Sequence, residues 1–198
     1  MERVLCLVMG YVFGLFQTGY LYSRSKHMDI RNYGSGNSGS TNVLRVMGKK
    51  AGLIVFLGDA GKMIAACLIT RVLFRSQPEL LYVYLLYTGF GVILGHNFPF
   101  YMEFKGGKGI AASAGLLAST DWRVMLVCLV VFVAAVAITR YVSLGSILVM
   151  ICFFIGMVFF GARGDFGIGA AHLTEFYVLA GLISAWGSGA ITPTSNDC

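Results

Sequence analysis

The sequence predicts an all-α integral membrane protein, a bundle of about seven transmembrane helices. Three observations lead there. Of 198 residues, 57% are hydrophobic and only 12% charged, which excludes a disordered chain and fits a soluble domain poorly. The apolar residues come in long runs, so the bilayer is their natural solvent. No internal repeat, low-complexity tract or soluble domain interrupts them, and residues 1–187 read as a single transmembrane domain.

The first run, 3–22, is long enough to span and has no clear small-residue cleavage site, so it reads as a retained helix rather than a signal peptide. The second, 50–73, carries Asp59 and Lys62 three residues apart, hence on one helical face. Charges inside a span face the bundle interior, where they are paired or functional. The third run is 80–98. The fourth, 109–120, is short for a bilayer that needs ~20 residues, so it is tilted, extended through its neighbouring motif or re-entrant. Runs at 122–140, 143–161 and 173–187 complete the series.

Loop charges orient the bundle. With seven spans and the N-terminus outside, the inner loops hold Arg24, Lys26, Arg31, Arg45, Lys49, Lys50, Lys105, Lys108 and Arg140. The outer segments hold Arg3, Arg71, Arg75, Arg123 and Arg163. Nine against five agrees with the positive-inside rule. The net charge of +6 therefore calls for anionic lipid headgroups and not for nucleic acid. Cys6, Cys67, Cys128, Cys152 and Cys198 lack ligand spacing, and no His, Cys or carboxylate cluster predicts a metal site.

Two polar segments lie between the runs, both on the inner side. The first is Ser35-Gly-Asn-Ser-Gly-Ser-Thr-Asn-Val-Leu-Arg45. Small residues let a ligand approach the backbone, consecutive N–H groups can cradle an anion, and Arg45 adds a planar fork for phosphate. The second is Gly95-His-Asn-Phe-Pro-Phe-Tyr-Met-Glu-Phe-Lys-Gly-Gly-Lys-Gly109. Gly34 to Gly39 matches G-x-G-x-x-G but follows a membrane helix instead of a strand, so no dinucleotide fold is expected. Lys108 lacks the Ser or Thr of a nucleotide-binding P-loop. His96, near Lys105 and Lys108, is read at the substrate, whereas His27 and His172 default to surface residues. Ser143 and Ser146 sit at an inner boundary, where they line the same pocket or cap a helix.

These residues resemble a known family. Ser35 to Arg45, and Gly95-His-Asn-Phe-Pro with Phe104-Lys-Gly-Gly-Lys-Gly109, look like the first two motifs of the bacterial acyl-phosphate-dependent glycerol-3-phosphate acyltransferases; Asp59-Ala-Gly-Lys62 resembles the family's second helix. The resemblance covers residues 1 to about 186. It implies a seven-helix enzyme of the bacterial inner membrane that moves an acyl chain from acyl phosphate to glycerol 3-phosphate. The products are 1-acylglycerol 3-phosphate and phosphate, made without a cofactor. It gives Ser35 and Arg45 functional roles and associates Gly106, Gly107 and Gly109 around Lys108 with glycerol 3-phosphate. His96 and Asn97 match the polar start of that motif. Catalytic roles are expected for Ser35, Arg45, His96 and Lys108, with His96 able to accept the hydroxyl proton. Substrate contacts are expected from Gly36, Asn37, Gly39, Thr41, Asn42, Asn97, Lys105, Gly106, Gly107, Gly109 and Ser143.

The chain departs from the family at 188–198. A third motif resembling H-R-x-N-I-x-R-L is replaced by a tail without Lys or Arg. Codons for Ala190-Ile-Thr-Pro-Thr-Ser-Asn-Asp-Cys198, read one base earlier, can encode His-His-Ala-Asn-Ile-Lys-Arg-Leu, which suggests a frameshift. Two other readings stand beside the acyltransferase: a small transporter of an anionic solute, and an inactive family member.

Overall fold

The computed structural model describes residues 1–191; the tail from 192 onward, with most of the suggested frameshift, lies outside them. The described residues form nine α-helices: α1 Glu2–Gly14, α2 Thr18–Ser25, α3 Ser40–Met47, α4 Lys49–Leu73, α5 Pro78–Asn97, α6 Ile110–Thr120, α7 Trp122–Thr139, α8 Val142–Ala162 and α9 Leu173–Ile191. Five stretches are long and apolar enough to cross a membrane: 2–25, 49–73, 78–102, 122–139 and 142–162. With 11 residues, α6 is only about 16 Å long, about half a bilayer core.

Two predicted elements change. The run 3–22 is not one helix: it breaks between Gly14 and Thr18. The first polar segment is not all loop, because its second half winds into α3, which carries Arg45.

Small residues set the tightest contact. Gly10 and Gly14 on α1 face Gly91 and Gly95 on α5, two reciprocal G-x-x-x-G stripes. A Cβ on Gly91 would strike the Leu7 carbonyl, and one on Gly10 the Thr88 carbonyl, so the two backbones nearly touch. The main core is shared by helices α4 to α9, with Met63, Leu86, Phe153, Met157, Phe176 and Ile183 buried in it. Cys6, Cys67 and Cys128 are buried free thiols, acting as small packing residues.

Ion pairs close the end of the bundle away from the polar segments. Arg3 clamps Glu175, with Nη2 to Oε2 at 2.8 Å, and Tyr87 donates to the same carboxylate at 2.9 Å. Asp121 caps α7 through the Arg123 and Val124 amides, and the Arg123 guanidinium holds its carboxyl below the usual carboxylate range.

Candidate active site

The first polar segment is shaped by Asn42, which is 3% exposed. Its Oδ1 accepts the Ser35 amide at 3.0 Å, and its Nδ2 donates to the Tyr33 and Asn37 carbonyls at 3.0 and 2.9 Å. Gly34 and Gly36 take the positive φ values, 59° and 73°, that this tight wrap requires. Asn37 Oδ1 accepts the Gly39 amide at 2.8 Å just before α3 begins, and its Nδ2 reaches the Gly106 carbonyl of the second segment at 3.4 Å.

The second segment folds back onto the end of α5. The Gly106 and Gly107 amides donate to the Asn97 and His96 carbonyls, both at 3.0 Å. A Cβ on Gly106 would collide with the His96 carbonyl, and one on Gly107 with the His96 ring, so only glycine fits. Gln17, 1% exposed, ties the segments together: its Nε2 donates to the His96 carbonyl at 2.8 Å, and Ser38 donates to its Oε1 at 3.4 Å.

The broken first helix has a purpose in this framework. A helix C-terminus leaves carbonyls without intrahelical partners. Here the Lys62 ammonium takes those of Gly14, at 3.3 Å, and Phe16, while the Tyr101 hydroxyl takes that of Leu15 at 2.6 Å. Positive charge at the negative end of the helix dipole favours this arrangement. Lys62 also meets Asp59 Oδ1 at 3.1 Å and His96 Nδ1 at 2.8 Å, and Thr18 donates to Asp59 at 2.9 Å. Asp59 and Lys62 are thus neighbours, and their pair extends to His96.

Above this cluster lies a polar cavity of about 510 Å³. Ser35, Asn37, Gly39, Thr41, Asn42, Arg45, His96, Lys108, Gly109 and Ser143 line it, together with Ser40, Asp59 and Arg140. Three helix N-termini open onto it: Gly39-Ser40-Thr41 of α3, Gly109-Ile110-Ala111 of α6 and Tyr141-Val142-Ser143 of α8. Each presents the positive end of its dipole, a ready setting for anions. Exposed Arg45 and Arg140 have no carboxylate partner among the described residues, which leaves their guanidinium forks open to phosphate. A second cavity of about 350 Å³, almost wholly apolar, shares Lys108 and Ile110 with the first and runs between α4, α6, α7 and α8, past Ala60, Ala118, Met125 and Phe132.

Not every expected residue reaches the polar cavity. Gly36 is exposed and does not line it; Asn97, Gly106 and Gly107 do not line it either, and the last two pack against His96. Lys105 does not line it: its side chain is 77% exposed, with the ammonium 3.4 Å from Glu103. Ser146 lines the apolar cavity, with its hydroxyl returned to the Val142 carbonyl at 2.9 Å. His27 is exposed, and His172 sits 3.8 Å from Glu175 at the far end. His96 does not present a free base at Nδ1, because Lys62 occupies that nitrogen. Gln17, Thr18 and Arg140 carried no signal as site residues; Arg140 counted only as loop charge. No three His, Cys, Asp or Glu side chains among the described residues gather in a way that would hold a metal.

Comparison with known proteins completes the picture. The family model described as "Glycerol-3-phosphate acyltransferase" matches residues 4–187. The chain is 43% identical over 152 residues to the glycerol-3-phosphate acyltransferase of Clostridioides difficile (strain 630), covering 75% of this chain and 74% of the relative. It is 40% identical over 148 residues to that of Thermoanaerobacter sp. (strain X514), covering 74% and 72%. Among solved structures it is similar to PlsY, an integral membrane glycerol 3-phosphate acyltransferase. The glycerol 3-phosphate form superposes with a TM-score of 0.75 at 33% identity, over 92% of this chain and 86% of that one. The lysophosphatidic acid form gives 0.78 at 30% identity, over 96% and 88%.

Proposed function

Because the chain belongs to the glycerol-3-phosphate acyltransferase family, we propose that it transfers a fatty acyl group from acyl phosphate to glycerol 3-phosphate, yielding 1-acylglycerol 3-phosphate and phosphate. The observation that carries this reading is the junction of the two cavities. A cation-lined polar cavity suits two phosphate-bearing substrates, and an apolar cavity meeting it at Lys108 and Ile110 suits the acyl tail. A molecule bound across the junction has its acyl carbonyl at the border, beside the polar groups.

The chemistry then asks little beyond positioning and charge stabilisation. The glycerol hydroxyl oxygen bonds to the acyl carbon and the bond from that carbon to the phosphate oxygen breaks. The phosphate leaves with the electron pair, and the hydroxyl proton ends on the released phosphate. Arg45, Lys108, Arg140 and the helix N-termini hold the phosphates, while Ser35 positions a phosphate oxygen. An acyl phosphate is already activated, so no acyl-enzyme is needed.

The cavity end is read as cytoplasmic, with seven spans, the N-terminus outside, and a multi-pass place in the bacterial cytoplasmic membrane. Charge supports this. Among the described residues outside the spans, the cavity end joins the nine basic residues named above to Asp29 and Glu103, whereas the other end balances five arginines with Glu2, Glu79, Asp121, Asp165 and Glu175. Labelling of Lys26→Cys from the cytoplasmic side only, in otherwise cysteine-free protein, checks the orientation.

The activity test uses the full chain in lipid nanodiscs with radiolabelled acyl phosphate. Lysophosphatidate is expected only when glycerol 3-phosphate is also present. Folded protein that forms none would refute the assignment.

A further inference from the structure

Lys62 reaches from α4 into a ring of acceptors: the Gly14 and Phe16 carbonyls, Asp59 Oδ1 at 3.1 Å and His96 Nδ1 at 2.8 Å. Carbonyls and a carboxylate only accept, and an ammonium only donates. Asp59 supplies the counter-charge inside the span and is itself steadied by Thr18. In this ring Nδ1 of His96 is the acceptor for Lys62, which assigns the ring proton to Nε2. Asp59 stands 3.8 Å from Nδ1, too far to share a proton with it. The Nε2 edge is free of protein hydrogen bonds among the described residues and faces Gly107, where a Cβ would sit on it. His96 itself lines the polar cavity, and its Nε2 is not among the fully buried polar atoms that lack a partner.

We propose that Asp59 and Lys62 are positioning residues that fix His96 as an Nε2–H donor, and that His96 donates a hydrogen bond to a phosphate or acyl oxygen of the bound substrates instead of removing the hydroxyl proton. This rests on the acyltransferase reading above, although the tautomer itself does not. It explains why an ion pair is kept within a membrane span and why the first helix is broken: the carbonyls it frees complete the cage that aims Lys62 at Nδ1.

Two measurements test it. Nitrogen-15 NMR of histidine-labelled full chain in nanodiscs, with His96→Gln identifying the resonances, is expected to show Nε2 protonated and Nδ1 bare, and Lys62→Met is expected to disturb that state. Kinetics separate donor from base, because glutamine keeps an N–H near the Nε2 position but is not basic. His96→Gln should keep kcat within about tenfold of wild type, while His96→Ala loses about 10²–10³-fold. Lys62→Met should lower kcat while KM for glycerol 3-phosphate moves less than about threefold, and it should cost much less in the His96→Gln background. A bare Nε2 in the wild type would overturn the proposal. So would folded His96→Gln protein as inactive as His96→Ala, or a Lys62→Met cost equal in both backgrounds. If the wild-type chain makes no lysophosphatidate, the acyltransferase reading fails, and the NMR result still decides the tautomer.

Discussion

Replacing Asn42 by alanine should disable the site while leaving the bundle standing. Asn42 makes three hydrogen bonds of 3.0 Å or less, from the Ser35 amide and to the Tyr33 and Asn37 carbonyls; a fourth, to the Ile30 carbonyl, is long at 3.4 Å. At about 1 kcal/mol each, the three short bonds amount to about 3 kcal/mol of local order, or up to about a hundredfold in the population of the ordered segment. The loss is local. Around α3 only Ile30, Val43, Ala51 and Val55 form a small apolar cluster, separate from the main core. The expected result is a fall of up to about 10²-fold in kcat/KM for glycerol 3-phosphate, with a melting temperature lowered by only a few degrees. Asn42→Asp should be no better than alanine: it keeps an acceptor for Ser35 but turns a carboxylate toward two carbonyls. Both are measured by steady-state kinetics in nanodiscs alongside a thermal melt. Folded Asn42→Ala protein with kcat/KM within about threefold of wild type would show that the segment holds its shape without this residue and would refute the reasoning.

Three further outcomes are expected. Arg45→Lys keeps the charge but not the planar fork, so KM for glycerol 3-phosphate should rise, and more so in Arg45→Ala; unchanged kinetics for the lysine variant would exclude bidentate binding. Gly91→Val places methyl groups against the Leu7 carbonyl of α1 and should cost at least about 1–3 kcal/mol, seen as a lowered melting temperature; an unaltered melt would contradict the backbone contact between α1 and α5. Ala118→Phe fills the end of the apolar cavity about 12 Å along α6 from Ile110, so turnover of long acyl phosphates should drop relative to short ones, and an unaltered chain-length profile would remove that cavity from acyl binding.

The local pattern of side chains determined much of this protein. Hydropathy alone marked α4, α5, α7 and α8 to within a few residues, because a lipid-facing helix must be apolar along its own length. The two polar segments were legible as candidate anion sites from their small residues, and their joint spacing pointed to the family. Tertiary structure decided the rest. The break after Gly14 is hidden in an apolar run because its freed carbonyls are satisfied by Lys62, 46 to 48 positions away. Lys105 and Lys108 look equivalent in sequence, yet one faces solvent and the other borders both cavities, a difference set by how Gly106 and Gly107 dock on α5. The link from Asp59 through Lys62 to His96 crosses 34 positions between two helices whose own hydrophobic patterns say nothing of each other. Periodicity reports only which residues a segment must hide. Which polar groups meet inside the bundle follows from helix packing, and here that packing rests on glycines that bring one backbone against another.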